Sequence, residues 1–513
     1  MAISSPTTDR PVNTRAVMVV VCLALAAVVA AMSSLNVALP DIARSTGASQ
    51  TQLSWIIDAY SLIFASLLLP AGAIGDRYGR RRTLIAGLAI FGAGSIVAMT
   101  AGSPGELIAL RGVLGLGAAL VMPATLSTIT STFPPQKRTQ AVSIWAGVAG
   151  GSAILGLLTS GILLEFFSWR SVFGLNVALA AVAIVAAWRI VPESADPDAP
   201  RLDLGGALLS IAGLATLVYA IIEAPEAGWL SGQTLIGIVG AFVILAMFVA
   251  FELRQKAPML DPRIFGHRGL SAGSLSIFMQ FFAFFGFIFV VLQYLQLVRG
   301  DSALMSAISM LPMAAVMMPA ARLSPKLAAM FGTRVVCVTG LVMVAIGLAV
   351  LAQLGTDSSY WLVVTGLLPL GFGMGAAMTP ATSAITGALP SQQQGVASAM
   401  NDLSREVGGA LGIAVLGSLL TAGYRNALEL PGVPAELVDR ARDSFAGASH
   451  VGGQIAAHAD TAFSSGMHVS LLVASGAVLA AAIAVGILLP QHTDHDDLAG
   501  SDGNDAIPRS NHV

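Results

Sequence analysis

The feature that most restricts this chain is a run of about twenty apolar residues that recurs fourteen times, each copy set off by a short polar break. The runs fall near residues 16–39, 54–74, 83–101, 105–130, 141–164, 171–191, 205–223, 233–252, 270–296, 303–321, 335–353, 361–383, 397–422 and 468–490. At about 1.5 Å of rise per residue, a helix of about twenty residues crosses the ~30 Å hydrocarbon layer of a bilayer. Within lipid the backbone must satisfy its own hydrogen bonds, which leaves helices as the reading for runs of this length. Hydrophobic residues make up 55% of the 513, and charged residues only 11%. A water-soluble fold of this size needs far less apolar surface. The sequence therefore predicts an all-α polytopic membrane protein with fourteen transmembrane helices. The first run is too long for the apolar core of a signal peptide, and it reads as an uncleaved first span.

Charge between the runs predicts the orientation. The N-terminus, the loops after every second span and the C-terminal tail carry 18 of the 26 Lys and Arg. The opposite loops carry six, and Arg111 and Arg405 fall inside spans. Positive loops stay in the cytoplasm, so both termini are expected there. Residues 1–15 read as a cytoplasmic N-terminal tail, 424–467 as a long extracellular loop with an amphipathic helix around 435–445, and 491–513 as a polar, acidic cytoplasmic tail. Cys22 and Cys337 both lie in apolar runs and give no disulfide framework. The seven histidines lie in loops, at a span edge or in the tail, with no metal-ligand spacing. Proton chemistry within the membrane thus falls to carboxylates, and no cofactor, metal or nucleic-acid partner is expected. Neither a metallohydrolase motif nor a nucleophile elbow is present, which argues against an enzyme.

Gly72–Arg82 reads GAIGDRYGRRR, with four arginines and one aspartate between the second and third runs. This is a tight loop at the membrane surface. Its pattern resembles the signature loop of the major facilitator superfamily, matched at Gly72, Asp76, Arg77, Gly79, Arg80, Arg81 and Arg82. The resemblance implies a cytoplasmic gate latch between two halves of a transporter. A weaker copy, Phe331-Gly332-Thr333-Arg334, follows the tenth run, with Ala329 where Asp76 would stand. Two six-helix halves, 16–191 and 270–490, with linkers and two inserted spans across 192–269, would place both copies correctly. That layout is expected of the fourteen-span drug:proton antiporters within the superfamily, and paired helical halves suit a midplane site.

Further motifs resemble those of that antiporter family. In the second span, Trp55-Ile56-Ile57-Asp58-Ala59-Tyr60 places a carboxylate about one turn inside the outer end. In the fourth span, Leu110–Gly117 resembles R-x-x-x-G-x-G and places Arg111 at a similar depth. Arginine cannot shed its proton and needs an anion. The first span ends Asn36–Pro40 in N-V-A-L-P, with Ala31 where the family often has an aspartate, so Asp58 is expected to pair with Arg111 in at least one state. Without that pair, Asp58 is an interfacial acid. The fifth span resembles the antiporter motif at Gly150, Gly156 and Gly161, with Leu157 in place of its proline; these glycines suit close helix packing. Glu223 precedes Pro225 and Gly228-Trp229 at the end of the seventh span. In the thirteenth, Ser398–Gly409 resembles S-A-x-x-[DN]-x-x-R-x-x-G-G. Too few apolar residues follow Glu406 to span alone, so the helix starts before Asp402 and draws Asp402, Arg405 and Glu406 into the membrane. Asp402 and Arg405, three apart, share a face, and Glu406 points away from Arg405, free to titrate.

The ninth span is rich in phenylalanine, and Phe278, Phe282, Phe285 and Phe289 share a face. Packing is the plainer reading of that face, and the wall of a drug pocket the alternative. Tyr60, Met279, Phe282 and Phe285 are the candidate substrate contacts. The resemblance implies a monomeric multidrug or antibiotic exporter of the bacterial plasma membrane. It would trade protons at Asp58, Arg111, Glu223, Asp402, Arg405 and Glu406 against small amphipathic or cationic compounds. A dedicated exporter of one endogenous metabolite or antibiotic is the alternative.

Overall fold

A computed structural model describes residues 13–195, 203–255, 258, 260–389, 394–431, 433–451 and 453–489. Most of the N-terminal tail and the whole of 491–513 lie outside the described residues. Fourteen helices are long and apolar enough to cross a membrane, and no strand occurs among the described residues. They are span 1 (Thr14–Thr46), span 2 (Gln50–Tyr78), span 3 (Arg80–Ala98), span 4 (Pro104–Thr132), span 5 (Pro135–Phe166), span 6 (Arg170–Ile190), span 7 (Leu204–Ala227) and span 8 (Gly232–Glu252). Then come span 9 (Arg268–Val298), span 10 (Ala303–Phe331), span 11 (Thr333–Leu351), span 12 (Tyr360–Gly387), span 13 (Gln394–Ala427) and span 14 (Gly453–Leu488). Span 9 ends in a π-helical turn over Tyr294–Val298, and span 10 is broken after Ile308.

The packing is a duplication. Span 1 lies against spans 5 and 6, span 2 against span 4, and span 3 against spans 4 and 6. Eight spans later the pattern recurs: 9 against 13 and 14, 10 against 12, and 11 against 12 and 14. The backbone repeats as well. Gly79 (φ 113°, ψ 128°) ends span 2 and starts span 3, and Gly332 (φ 87°, ψ 147°) does the same between spans 10 and 11. Both sit at positive φ, where only glycine is unstrained, so the faint sequence copy at 331–334 is a true structural repeat. Spans 7 and 8 pair with each other, and span 7 leans on spans 2 and 13. Span 8 shows Ile236, Val239, Phe242 and Met247 at its surface, as a helix facing lipid does.

The segment 424–467 is helical over most of its length, and the amphipathic helix expected around 435–445 is there as Ala435–Asp443. Span 13 continues to Ala427 and span 14 begins at Gly453, with helices Ala435–Asp443 and Phe445–Val451 between them. The Tyr424 hydroxyl donates to the Ala441 carbonyl at 2.6 Å, and the Phe445 ring stacks on Phe463 at 4.3 Å. Tyr424, Phe445 and Phe463 are all buried. Polar residues early in span 14 hide the helix from a hydropathy reading, but its apolar face is covered from above.

The halves meet at the end of the bundle opposite the arginine loop. There Gln50 donates to Gln293 at 3.0 Å, and Gln296 donates to the Val37 carbonyl at 2.9 Å. Gly161 of span 5 lies against the Cα of Leu304 at the start of span 10, where an added Cβ would sit 2.9 Å away.

Candidate functional site

Among the described residues, Asp58 and Arg111 form a charged cluster inside the first half, and Asp402, Arg405 and Glu406 one inside the second. In the first, span 2 starts at Gln50, so Asp58 sits two turns inside the helix rather than one. It is fully buried, and neither carboxylate oxygen has a hydrogen-bond partner. Arg111 of span 4 is 1% exposed. Its Nε donates to the Ile56 carbonyl at 2.8 Å, and its guanidinium lies 4.3 Å from the centroid of the Tyr60 ring. The motif glycine explains the reach: any Cβ at Gly115 would strike the Tyr60 backbone carbonyl, so only glycine lets span 4 lie this close to span 2. Gly117 does the same toward Gly87 and Phe91 of span 3.

The expected ion pair is therefore not formed in this state. Asp58 and Arg111 are close enough to interact electrostatically, yet Arg111 Nε goes to a carbonyl, the guanidinium faces a ring, and its Nη2 is left without a partner. Tyr60 is a brace here rather than an open ligand contact. Its hydroxyl donates to the Val28 carbonyl at 3.1 Å, and the side chain is wholly buried.

In the second cluster, the helix begins at Gln394, as the length argument requires, and carries Asp402, Arg405 and Glu406 inward. Arg405 Nη1 lies 3.5 Å from Asp402 Oδ1, the i,i+3 pair expected. The Arg405 guanidinium also stands 4.9 Å from the centroid of the Phe281 ring. Glu406 is buried, and its Oε2 has no partner. It lies close enough to Tyr60 to interact with it across the interface between the halves. Span 13 packs on span 2, and the Cβ that Gly417 lacks would sit 2.8 Å from the Ser54 hydroxyl.

The aromatic face of span 9 is interhelical rather than lipid-facing. Phe281, Phe282, Phe284 and Phe285 are buried, as is Met279. Phe281, Phe284 and Phe285 contact one another, with Phe284 and Phe285 at 5.2 Å. Gly408 and Gly412 of span 13 bring its backbone against the carbonyls of Phe278 and Phe282. Phe281, not among the candidate contacts read from the sequence, is the ring of span 9 that meets the partly buried Arg405 cation; nothing in local spacing pairs residue 281 with 405.

Glu223 accepts a hydrogen bond from the Trp55 indole at 2.8 Å, joining span 7 to span 2. The three glycines of span 5 divide. Gly156 lies against the Ala30 carbonyl of span 1, with a would-be Cβ at 2.6 Å, and Gly161 lies against span 10, whereas a Cβ on Gly150 would meet nothing within 4 Å. Gly150 is exposed where its Cβ would point, whereas Trp145, Ala149 and Ser152 of the same stretch are buried and the Trp145 indole donates to the Thr125 hydroxyl of span 4 at 3.0 Å.

At the signature loop, Arg80 donates to Asp76 at 2.9 Å. Glu193, just after span 6, lies 3.6 Å from both Arg81 and Arg82 and accepts from the Arg81 backbone N–H at 3.2 Å. Gly79 is tight against the same carboxylate. Arg77 is exposed beside the Tyr78 ring, and Gly72 leaves 3.5 Å between a would-be Cβ and Pro123. The partners named here lie in the loop itself, in span 4 or just after span 6, and none lies in 270–490. Glu193 escaped the sequence reading because no spacing rule links it to a loop more than a hundred residues earlier.

The family model described as Major Facilitator Superfamily matches residues 21–413. The chain is 34% identical to "Multidrug resistance protein Stp" of Mycobacterium tuberculosis (strain CDC 1551 / Oshkosh), over 92% of this chain and 91% of that one. It is 34% identical to "Multidrug efflux pump LfrA" of Mycolicibacterium smegmatis, over 94% and 98%. Among solved structures, a bacterial homolog of the human lysosomal transporter Spinster, inward-facing and unoccupied, superposes with a TM-score of 0.66 at 18% identity, covering 93% of this chain and 96% of that one.

Proposed function

Because the chain belongs to the Major Facilitator Superfamily, we propose that it exports small amphipathic or cationic compounds across the plasma membrane in exchange for protons. The observation that carries this reading is a buried carboxylate with an unpartnered oxygen in each half, Asp58 and Glu406. A dry, unpaired charge costs on the order of 2.5–3.5 kcal/mol at a helix centre on insertion scales. Such a cost is sustained where the group changes its charge during the work. Relatives named for multidrug resistance and multidrug efflux support foreign small molecules as cargo.

In this reading the halves, residues 16–191 and 270–490, rock about the interface on which spans 2 and 13 meet. Protonation neutralises a carboxylate and favours the state in which it is dry. Loss of the proton favours the state in which it meets water or a cation. Coupling follows because proton and substrate bias the same two-state equilibrium in opposite directions. One proton falling through 100 mV supplies about 2.3 kcal/mol. Asp402 and Arg405 balance each other one turn from Glu406, and Arg111, in the same half as Asp58, is the charge that Asp58 meets when the side chains turn. The chain works as a monomer with both termini in the cytoplasm. Everted membrane vesicles loaded by respiration test the reading: tetraphenylphosphonium accumulates inside them, and a protonophore abolishes the accumulation. A panel of unrelated compounds separates a broad exporter from one dedicated to a single metabolite or antibiotic.

A further inference from the structure

On the face that carries the arginine loop, a cavity of about 860 Å³ opens among the ends of spans 9, 10, 11, 12 and 14. Arg268, which starts span 9, and Arg334, near the start of span 11, both line it. Among the described residues neither guanidinium has a carboxylate partner. Around Arg334 the apolar side chains of Met330, Phe331 and Val335 are 73%, 58% and 51% exposed. Two unpaired cations in a cavity, rimmed by uncovered apolar groups at the end of membrane spans, complement a molecule that is anionic at one end and apolar at the other.

The internal duplication makes the missing charge specific. With Gly332 matched to Gly79, Arg334 stands where Arg81 stands. Arg81 is neutralised by Glu193, in the Val191-Pro192-Glu193 that follows span 6. After span 14 the sequence reads Leu489-Pro490-Gln491, and Leu489 lines the cavity. Gln491 lies outside the described residues, but by sequence an amide replaces the acid. Ala329, also in the lining, replaces Asp76. The second half has kept a cation and lost both acids.

We propose that this cavity binds the phosphate headgroup of an anionic phospholipid, with Arg268 and Arg334 as its ligands. The lipid supplies the charge that Glu193 supplies in the other half, and it ties the start of span 9 to the turn between spans 10 and 11. Basic pockets between spans hold such headgroups, and a guanidinium presents paired N–H donors that match phosphate oxygens. The acyl chains cover Met330, Phe331 and Val335. The chain's own acidic stretch beyond span 14, with Asp494, Asp496 and Asp497, has the charge but sets only Leu498 and Ala499 beside it, against the two long acyl chains that a phospholipid brings to that rim.

The test uses the full-length chain in vesicles of POPC alone or POPC mixed with POPG, reading the thermal unfolding midpoint and the POPG retained in native mass spectra. The wild type retains POPG, and its midpoint is higher with POPG present. Arg268→Gln with Arg334→Gln weakens POPG retention by about fivefold per cation and removes the rise, while the midpoint in POPC alone stays near that of the wild type. Gln491→Glu restores the acid and shrinks the POPG response in a chain that keeps both arginines. A full POPG response in the double variant or in Gln491→Glu overturns the proposal. So does inorganic phosphate that raises the midpoint in POPC as POPG does, which assigns the site to a soluble anion. A chain ending at Pro490 that gains POPG affinity assigns the cavity to the tail and overturns it as well.

Discussion

Asp58 carries a carboxylate buried among apolar side chains with neither oxygen hydrogen-bonded. If stability alone shaped the position, an amide would serve better, because it removes the charge and keeps the size. Asp58→Asn is therefore expected to leave the unfolding midpoint unchanged or raised and to abolish uphill efflux. A variant that pumps at the wild-type rate, or one that fails to fold, contradicts this account of Asp58. Residues of this kind are legible in the sequence because motifs that resemble the antiporter family's carry Asp58, Arg111, Asp402, Arg405 and Glu406, and because a charge inside an apolar run demands a reason; the i,i+3 spacing makes the Asp402–Arg405 pair legible as well. What was not legible were the contacts between spans. Arg111 turns from Asp58 to the Ile56 carbonyl and the Tyr60 ring, and Arg405 sits by Phe281. These depend on how helices lean on one another, which no local spacing encodes.

Among the elements, span 5 offers the clearest contrast. A Cβ at Gly156 would sit 2.6 Å from the Ala30 carbonyl, and one at Gly150 would meet nothing within 4 Å. Gly156→Ala is expected to cost about 1–3 kcal/mol, as overpacking does, whereas Gly150→Ala stays within about 1 kcal/mol and leans toward stabilisation. Unfolding midpoints of the two variants in one detergent decide it, and equal losses would refute the packing described for span 5. The arginine loop behaves differently. Its ion pairs are partly exposed, and such pairs contribute about 0–1 kcal/mol. Asp76→Asn and Glu193→Gln should thus fold normally and still slow transport severely, if the loop is a latch that must re-form in each cycle. Normal efflux by both well-folded variants would reduce the loop to a topology anchor. Element positions followed closely from apolar runs, apart from span 14. Its first turns are polar, and they are helical because Phe463 is covered by Phe445 and by the chain that precedes it.

At the scale of the molecule, two six-helix halves repeat one packing pattern and touch at the end opposite the arginine loop. An exporter has to exchange that contact for one at the other end. The open face of span 5 at Gly147, Gly150 and Gly151, and an arginine loop whose ion pairs among the described residues run to Asp76 and Glu193, fit a state in which the arginine-loop ends of the halves are apart. The duplication was faintly legible in the copy at 331–334, and the two glycines at positive φ make it firm. The central claim is that movement of the halves is coupled to a proton carried by a buried carboxylate, with Glu406 at the interface between spans 2 and 13. The most direct measurement is tetraphenylphosphonium uptake into proteoliposomes with an acidified interior, run in parallel with binding by the detergent-purified protein, for wild type and Glu406→Gln. The account predicts uphill uptake by the wild type that collapses with the pH gradient, and a Glu406→Gln variant that still binds the cation but does not concentrate it. Uphill uptake by Glu406→Gln at the wild-type level, or uptake by the wild type that is indifferent to the gradient, would contradict it.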